Sequence, residues 1–274
     1  MNTPRFFVDA PLASGDALAL PAAAARHAQV LRLQPGDLIR LFNSRGVREG
    51  EFEANVTQMG RSDVQVTVGA WQPTQCEAPR AVHLAIVMPA NERMDWLVEK
   101  AAELGVASIA PLMSARSVLR LAGERAEKKR THWAGVASAA CEQSGRSRVP
   151  QVVAPTSLAD WLRHLPGSGF TSASPSNSGD GPGNDSDQLK HRPDATPCRL
   201  LLSLHATSVS LREALQGAGA VVFLSGPEGG LSLDEEAAAL AQGFVRVTLG
   251  PRVLRADTAP LAALALLTVP GALA

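Results

Sequence analysis

The stretch AVVFLSGPEGGLSLDEEAAALAQGFVRVTLGPRVLRADTAPLAALALL, residues 220–267, decides the fold. It holds two short runs rich in Val, Phe and Leu, at 220–225 and 244–249. Each is short and apolar enough to be a buried strand. Each ends in a glycine-bearing loop, and each loop leads into a helical pattern. Strand, loop and helix repeated in this way mark an α/β fold built on a parallel sheet. Ligand sites in such folds lie beyond the carboxyl ends of the strands.

The first loop is Ser225-Gly226-Pro227-Glu228-Gly229-Gly230. Its glycines let the backbone approach a ligand closely with amides free to donate. Ser232 followed by Glu235 forms a capping box that opens the next helix. The second loop, from Leu249 and Gly250 to Val253, Leu254 and Arg255, places apolar side chains and two arginines where a plain turn would be polar. Asp257 or Thr258 is expected to cap the last helix, and Pro260 fits its first turn. Neither the dinucleotide fingerprint nor the P-loop spacing is present, which argues against the common nucleotide-binding enzymes.

Outward from this stretch, 274 residues with 45% hydrophobic content suit two folded domains. Three cysteines without a C-x-x-C pair argue against a disulfide framework or a zinc knuckle and suit a reducing cytoplasm. No segment offers the run of about 20 apolar residues that a membrane span needs. Net formal charge is zero, so a nucleic-acid surface must come from arrangement. Between Ser114 and Arg148, Lys and Arg outnumber Glu by eight to three, fitting either a phosphate-facing surface or a solvated helix face.

Residues 1–72 read as several short strands around one helix at 21–33, a small β-barrel pattern. A proline-bearing linker is expected at 71–79. Then come a buried strand at 81–88, a helix at 93–104 ended by Gly105, a strand at 106–112 and a long helix at 125–143. Lys100 and Glu103 are spaced to pair on their helix. Cys141, after a run of alanines, reads as a small buried residue. The segment 166–197 is rich in Gly, Ser, Pro and Asp and reads as a flexible low-complexity insertion. A strand at 199–204 resumes the sheet, with His205 at its end.

The pair GPEGGLSLDE and LGPRVLRADTA closely resembles the RsmE family, the 16S rRNA uracil-N3 methyltransferases of the SPOUT superfamily. So do E-K-A-A-E-L-G-V at 99–106, S-A-R at 114–116, and C-E-Q-S-G-R-S-R-V-P at 141–150. The resemblance covers most of the chain and is poorest over 166–197. It implies a PUA-like RNA-binding β-barrel at 1–72 and a SPOUT domain at 78–274 with a C-terminal trefoil knot. It implies S-adenosylmethionine as cofactor, no metal, 16S rRNA of the small ribosomal subunit as substrate, and a homodimer in the cytoplasm.

Residue by residue, the resemblance assigns the cofactor to Leu204, His205, Ser225, Gly226, Pro227, Glu228, Gly229, Gly230, Leu249, Gly250, Val253, Leu254 and Arg255. It assigns RNA contacts to Arg5, His27, Arg32, Arg116, Gln143 and Arg146, and catalysis to Arg255, Glu142 and Arg146. Arginines suit phosphate contacts and the negative charge that builds on uracil carbonyls. Glu142 or Asp257 would accept the N3 proton. Asp257 stands where the family commonly has Glu, which puts its reach in doubt. Surface or packing roles remain open for Arg5, His27, Arg32, Arg116 and His205. Two other readings stay open: a non-catalytic rRNA-binding assembly factor, and a SPOUT methyltransferase with a different RNA target.

Overall fold

The computed structural model describes residues 3–45, 49–89, 93–165, 197–215 and 219–269. The insertion expected at 166–197 lies, but for Pro197, outside the described residues.

The N-terminal unit contains β1 (Arg5–Phe7), β2 (Ala17–Ala19), α1 (Ala22–Val30), β3 (Leu38–Phe42), β4 (Gly50–Met59) and β5 (Val64–Pro73). Its sheet runs β1-β3-β4-β5-β2, with β1 parallel to β3 and the other pairs antiparallel. Alternate residues of β5, Val64, Val66 and Val68, are buried with Ile39, Leu41 and the Ala24, Ala25 and Ala28 face of α1. This is the period-two pattern of a strand with one face in a core. The linker expected from Trp71 is shorter than the sequence suggested. β5 continues to Pro73, and Trp71 pairs with Phe52. The Trp71 ring lies where a Cβ on Gly50 would be, 2.4 Å away, so only glycine fits there.

The C-terminal unit contains β6 (Val82–Val87), α2 (Arg93–Glu103), β7 (Ser108–Met113), α3 (Gly123–Ser144), β8 (Gln151–Val152), β9 (Thr156–Ser157) and α4 (Leu158–Arg163). It continues with β10 (Cys198–Leu202), β11 (Val209–Ser210), α5 (Leu211–Ala214), β12 (Val221–Ser225), α6 (Leu233–Ala241), β13 (Val245–Thr248) and α7 (Thr258–Thr268). The sheet order is β11-β13-β10-β12-β6-β7-β8, with β9 also on β7, and every pairing is parallel.

The apolar runs of β6 and β12 follow from helices on both faces. Val82, Leu84 and Ile86 of β6 meet a core shared with Leu97, Trp133 and Leu264 of α2, α3 and α7. Ala85 and Val87 point the other way, to Leu158, Leu162 and Ala239 of α4 and α6. Gly105, at φ +88°, ends α2 as the sequence predicts. Lys100 pairs with Glu103 at 2.7 Å and Glu99 at 2.8 Å. The two-residue strands β8, β9 and β11 escape the sequence reading because they carry too few residues for a period.

Candidate active site

Three neighbouring strands, β13, β10 and β12, run parallel, so their carboxyl ends lie along one edge of the sheet. The loops that follow them, 249–257, 203–208 and 226–232, leave the sheet side by side along that edge, the candidate cradle for a ligand. β10 ends at Leu202, two residues earlier than expected, so Leu204 and His205 belong to the loop.

In the first loop Ser225 is buried at the end of β12. The Gly230 amide donates to the Pro227 carbonyl at 2.9 Å, closing a tight turn, with Gly230 at φ +68°. A Cβ on Gly226 would stand 3.2 Å from the Leu231 nitrogen, tighter than ordinary packing. Pro227 is buried, while Glu228, Gly229 and Gly230 face solvent. The capping box predicted at Ser232 and Glu235 is present. Glu235 does more than cap. Its Oε2 accepts from the Ser232 amide at 2.9 Å and its Oε1 from the Ala115 amide at 2.6 Å. Arg116 donates to the Gly229 carbonyl, so the 114–117 turn is strapped to the first loop at two points.

In the second loop the Gly250 amide donates to Thr248 Oγ1 at 3.2 Å, with Gly250 at φ +115°. The Arg255 carbonyl accepts from the amides of Thr258 at 3.0 Å and Ala259 at 2.9 Å. The backbone at Arg255 is therefore anchored while its side chain is exposed. The cap expected from Asp257 does not form. Its backbone is helical, no side-chain cap bond is made, and Oδ2 instead faces Arg93 at 3.4 Å. Arg93 was not singled out from the sequence. Leu204 is 71% exposed and Val253 77% exposed, while Leu249 and Leu254 are partly buried. Apolar side chains standing in water at a cradle offer surface for an apolar or aromatic ligand group.

In the third loop, the His205 amide donates to Ser203 Oγ at 3.2 Å, and its Nδ1 is 2.9 Å from Thr207 Oγ1. Ser203 Oγ donates to Glu236 at 2.8 Å, and Arg246 Nε donates to the same oxygen at 2.9 Å. The Arg246 guanidinium bound to it, with help from Ser203, holds the Glu236 carboxyl below the usual glutamate range against the opposing effect of its burial.

A second group of expected site residues lies elsewhere, at the seam where α3 meets β1. Arg5 donates to Glu51 at 2.7 Å, to the Cys141 and Glu142 carbonyls at 2.7 and 3.2 Å, and to the Arg146 carbonyl at 3.0 Å. It caps the end of α3 from the other domain. Arg146 is 4% exposed. It grips Glu77 Oε2 at 2.7 and 3.0 Å and the Ala102 carbonyl at 2.7 Å. Glu77 Oε1 accepts from the amides of Ser147 and Arg148. Glu142 accepts from the Phe7 amide at 2.9 Å and faces His27 Nδ1 at 3.3 Å. Burial pushes its carboxyl above the usual range. Burial likewise pushes the Cys141 thiol up to about 12, as suits a packing residue.

These placements correct three expectations. Arg5 and Arg146 do not face RNA, because their guanidiniums are engaged inside the protein. Glu142 is not a base of the cradle, because its bonds go to β1 and α1. His27, Arg32 and Gln143 keep exposed side chains, so contacts with an outside partner stay open to them. Glu51 and Glu77, the acidic partners, carry no signal in the sequence, since the spacing to their arginines is long-range.

An RNA methyltransferase domain model matches residues 76–268, and an RNA methyltransferase PUA domain model matches 20–69. A structure of ribosomal RNA small subunit methyltransferase E from Neisseria gonorrhoeae, bound to S-adenosyl methionine, superposes with a TM-score of 0.80. It shares 32% identity, with 96% of each chain covered. The chain belongs to the ribosomal RNA small subunit methyltransferase E family. The Bacillus subtilis member is 29% identical over 235 residues, covering 86% of this chain and 82% of that one. A protein of Legionella pneumophila, solved with the bound cofactor SAM, shares 30% identity and a TM-score of 0.80 over 97% of both chains. In this member of the methyltransferase E family, Arg255 and most of the loop glycines are exposed, while the seam charges of Arg146 and Glu77 are shielded inside the protein.

Proposed function

We propose that this protein transfers a methyl group from S-adenosylmethionine to N3 of a specific uridine in 16S rRNA of the small ribosomal subunit, in the cytoplasm. The observation that carries the reading is the cradle itself. Two glycine loops, exposed Leu204 and Val253, and exposed Arg255 meet at the carboxyl ends of three adjacent parallel strands. The cofactor supplies an activated methyl group, so the chain has to bind, orient and manage a proton. The first loop, Ser225 to Gly230, and the second, Leu249 to Leu254, offer backbone amides and apolar surface to adenine and methionine. Leu204 and His205 form the third wall.

Arg255 stabilises the negative charge that develops on the uracil carbonyls as the N3 proton leaves. Asp257, two residues on and beside Arg93, is the carboxylate that the second loop offers to that proton. Exposed Arg32, Arg116 and Gln143 contact RNA, and exposed His27 joins them from the N-terminal unit. The family resemblance gives these C-terminal loops a trefoil knot. α7 supports a homodimer. It has no charged residue, and Ala262, Ala265 and Leu266 are only partly covered on a helix that is apolar all round.

The test is incubation with radiolabelled S-adenosylmethionine and small subunits lacking the modification, followed by digestion of the RNA. Label in 3-methyluridine is the expected result. Label in another nucleoside would move the target, and absence of both label and cofactor binding would overturn the reading.

A further inference from the structure

α6 opens with two consecutive glutamates that reach to opposite sides. Glu235 holds the 114–117 turn through the Ala115 amide. Glu236 holds the other flank through one oxygen, which accepts from Ser203 Oγ at 2.8 Å and Arg246 Nε at 2.9 Å. Ser203 organises its own loop. Its Oγ accepts from the His205 amide and its carbonyl accepts from Ser208 Oγ at 3.1 Å. The side chains of Arg246 and Glu236 are 23% and 16% exposed, so the pair is largely shielded from water, unlike a surface ion pair.

The Ser203 amide also donates to the Val247 carbonyl of β13 at 3.1 Å, and the Ser208 amide to the His205 carbonyl at 3.0 Å, but beyond Ser203 these bonds stay within the loop. Residues 204–207 are exposed, and Leu204 carries its side chain into solvent. A loop with few buried contacts takes its geometry from the hydrogen bonds that remain. Here the side-chain bonds run from Ser203 to Glu236 of α6, the helix that follows the first glycine loop, and on to Arg246 of β13, the strand that precedes the second.

We propose that Glu236 is a positioning residue for the cofactor. It ties the 203–208 wall to the helix after the first glycine loop and the strand before the second, and thereby sets the width of the cradle before any ligand arrives. The inference rests on the methyltransferase reading above. A wall held in place in the free protein spares the ligand the ordering of that loop, so the effect belongs to binding affinity.

The experiment is calorimetric titration of the full chain with S-adenosylhomocysteine, alongside thermal unfolding of each variant. Glu236→Ala is expected to weaken binding about tenfold, the scale of one charge-assisted hydrogen bond. Ser203→Ala is expected to weaken it in the same direction, and the double variant no further than Glu236→Ala. Glu236→Gln, which keeps an acceptor oxygen, recovers most of the loss. Should Glu236→Ala unfold, Ser203→Ala carries the test, since it removes only one hydroxyl at a loop. Wild-type affinity in both alanine variants overturns the proposal and leaves the methyltransferase reading standing. A loss in Glu236→Ala without one in Ser203→Ala also overturns it, because the loop is then not held this way. Failure of the wild-type protein itself to bind would overturn the underlying reading as well.

Discussion

The seam between the domains and the cradle at the sheet edge use the same residue types in opposite ways. At the seam, Arg146 is buried, Arg5 is largely shielded, and their guanidiniums answer carboxylates and helix-end carbonyls. At the cradle, Arg252 and Arg255 stand in solvent beside exposed Leu204 and Val253. A buried charge is tolerated only when its hydrogen bonds are answered. An exposed apolar side chain gains only when something covers it. The seam therefore holds the molecule together, and the cradle is left open for a ligand. Substitutions should separate cleanly along this line, with stability moving at the seam and binding or turnover at the cradle.

The largest effect is expected from Arg146→Ala. Removing the guanidinium leaves Glu77 buried without its cation, which costs about 3–5 kcal/mol in comparable pairs. Urea unfolding should show a large fall in midpoint, while the fraction that remains folded binds S-adenosylhomocysteine as before. The pair Glu77→Gln with Arg146→Met should regain much of the loss, because neither charge is then buried. A stable Arg146→Ala protein with impaired turnover would move Arg146 back to the reaction.

Arg255→Ala is the counterpart at the cradle. Its side chain is exposed, so unfolding should shift by no more than about 0.5 kcal/mol. Turnover should fall about a hundredfold if the guanidinium stabilises developing charge. Single-turnover methylation at saturating cofactor and RNA measures this. Comparable loss of stability would mean that Arg255 is a structural residue like those at the seam.

The same division explains what the sequence could and could not disclose. The βα repeat at the C-terminus was legible because strands buried on both faces read as continuous apolar runs, as β6 and β12 do. The capping box at Ser232 was legible because its partners are three residues apart. The strand order was not, since β10 slides between β12 and β13 through pairings that no local pattern encodes. Arg5, Arg146 and Glu142 stand in motif-like surroundings, yet their partners Glu51, Glu77 and Phe7 are dozens of residues away. Asp257 was expected as a cap on chemistry alone, and its helical backbone together with Arg93 turned it elsewhere.

A smaller effect is expected from Gly230→Ala. At φ +68° an alanine pays about 1–2 kcal/mol of left-handed strain, although no neighbour lies within 4 Å of the added Cβ. The turn should relax by rotating its amides, so S-adenosylhomocysteine affinity falls and the unfolding midpoint drops only modestly. A drop in stability with affinity unchanged would place Gly230 with the structural glycines, as Gly50 is.

The smallest and most pointed effect concerns Glu142, a seam charge whose burial works against it. Burial raises its carboxyl above the ordinary glutamate value of 4.5, against the Phe7 amide and the His27 and Arg5 charges that lower it. The native state therefore binds this proton more readily than the unfolded chain. Stability from this group is fully present below the unfolded value and is lost as pH rises through the native one. Glu142→Gln keeps an oxygen for the Phe7 amide and removes the titration. Comparing both proteins in a His27→Asn background removes the imidazole from the measurement. The stability of the Gln variant relative to Glu should then climb as pH rises above 4.5 and level off once the native carboxyl has ionised. A difference that stays flat across that window would mean the seam solvates Glu142 as well as water does, and the contrast between a closed seam and an open cradle would lose one of its supports.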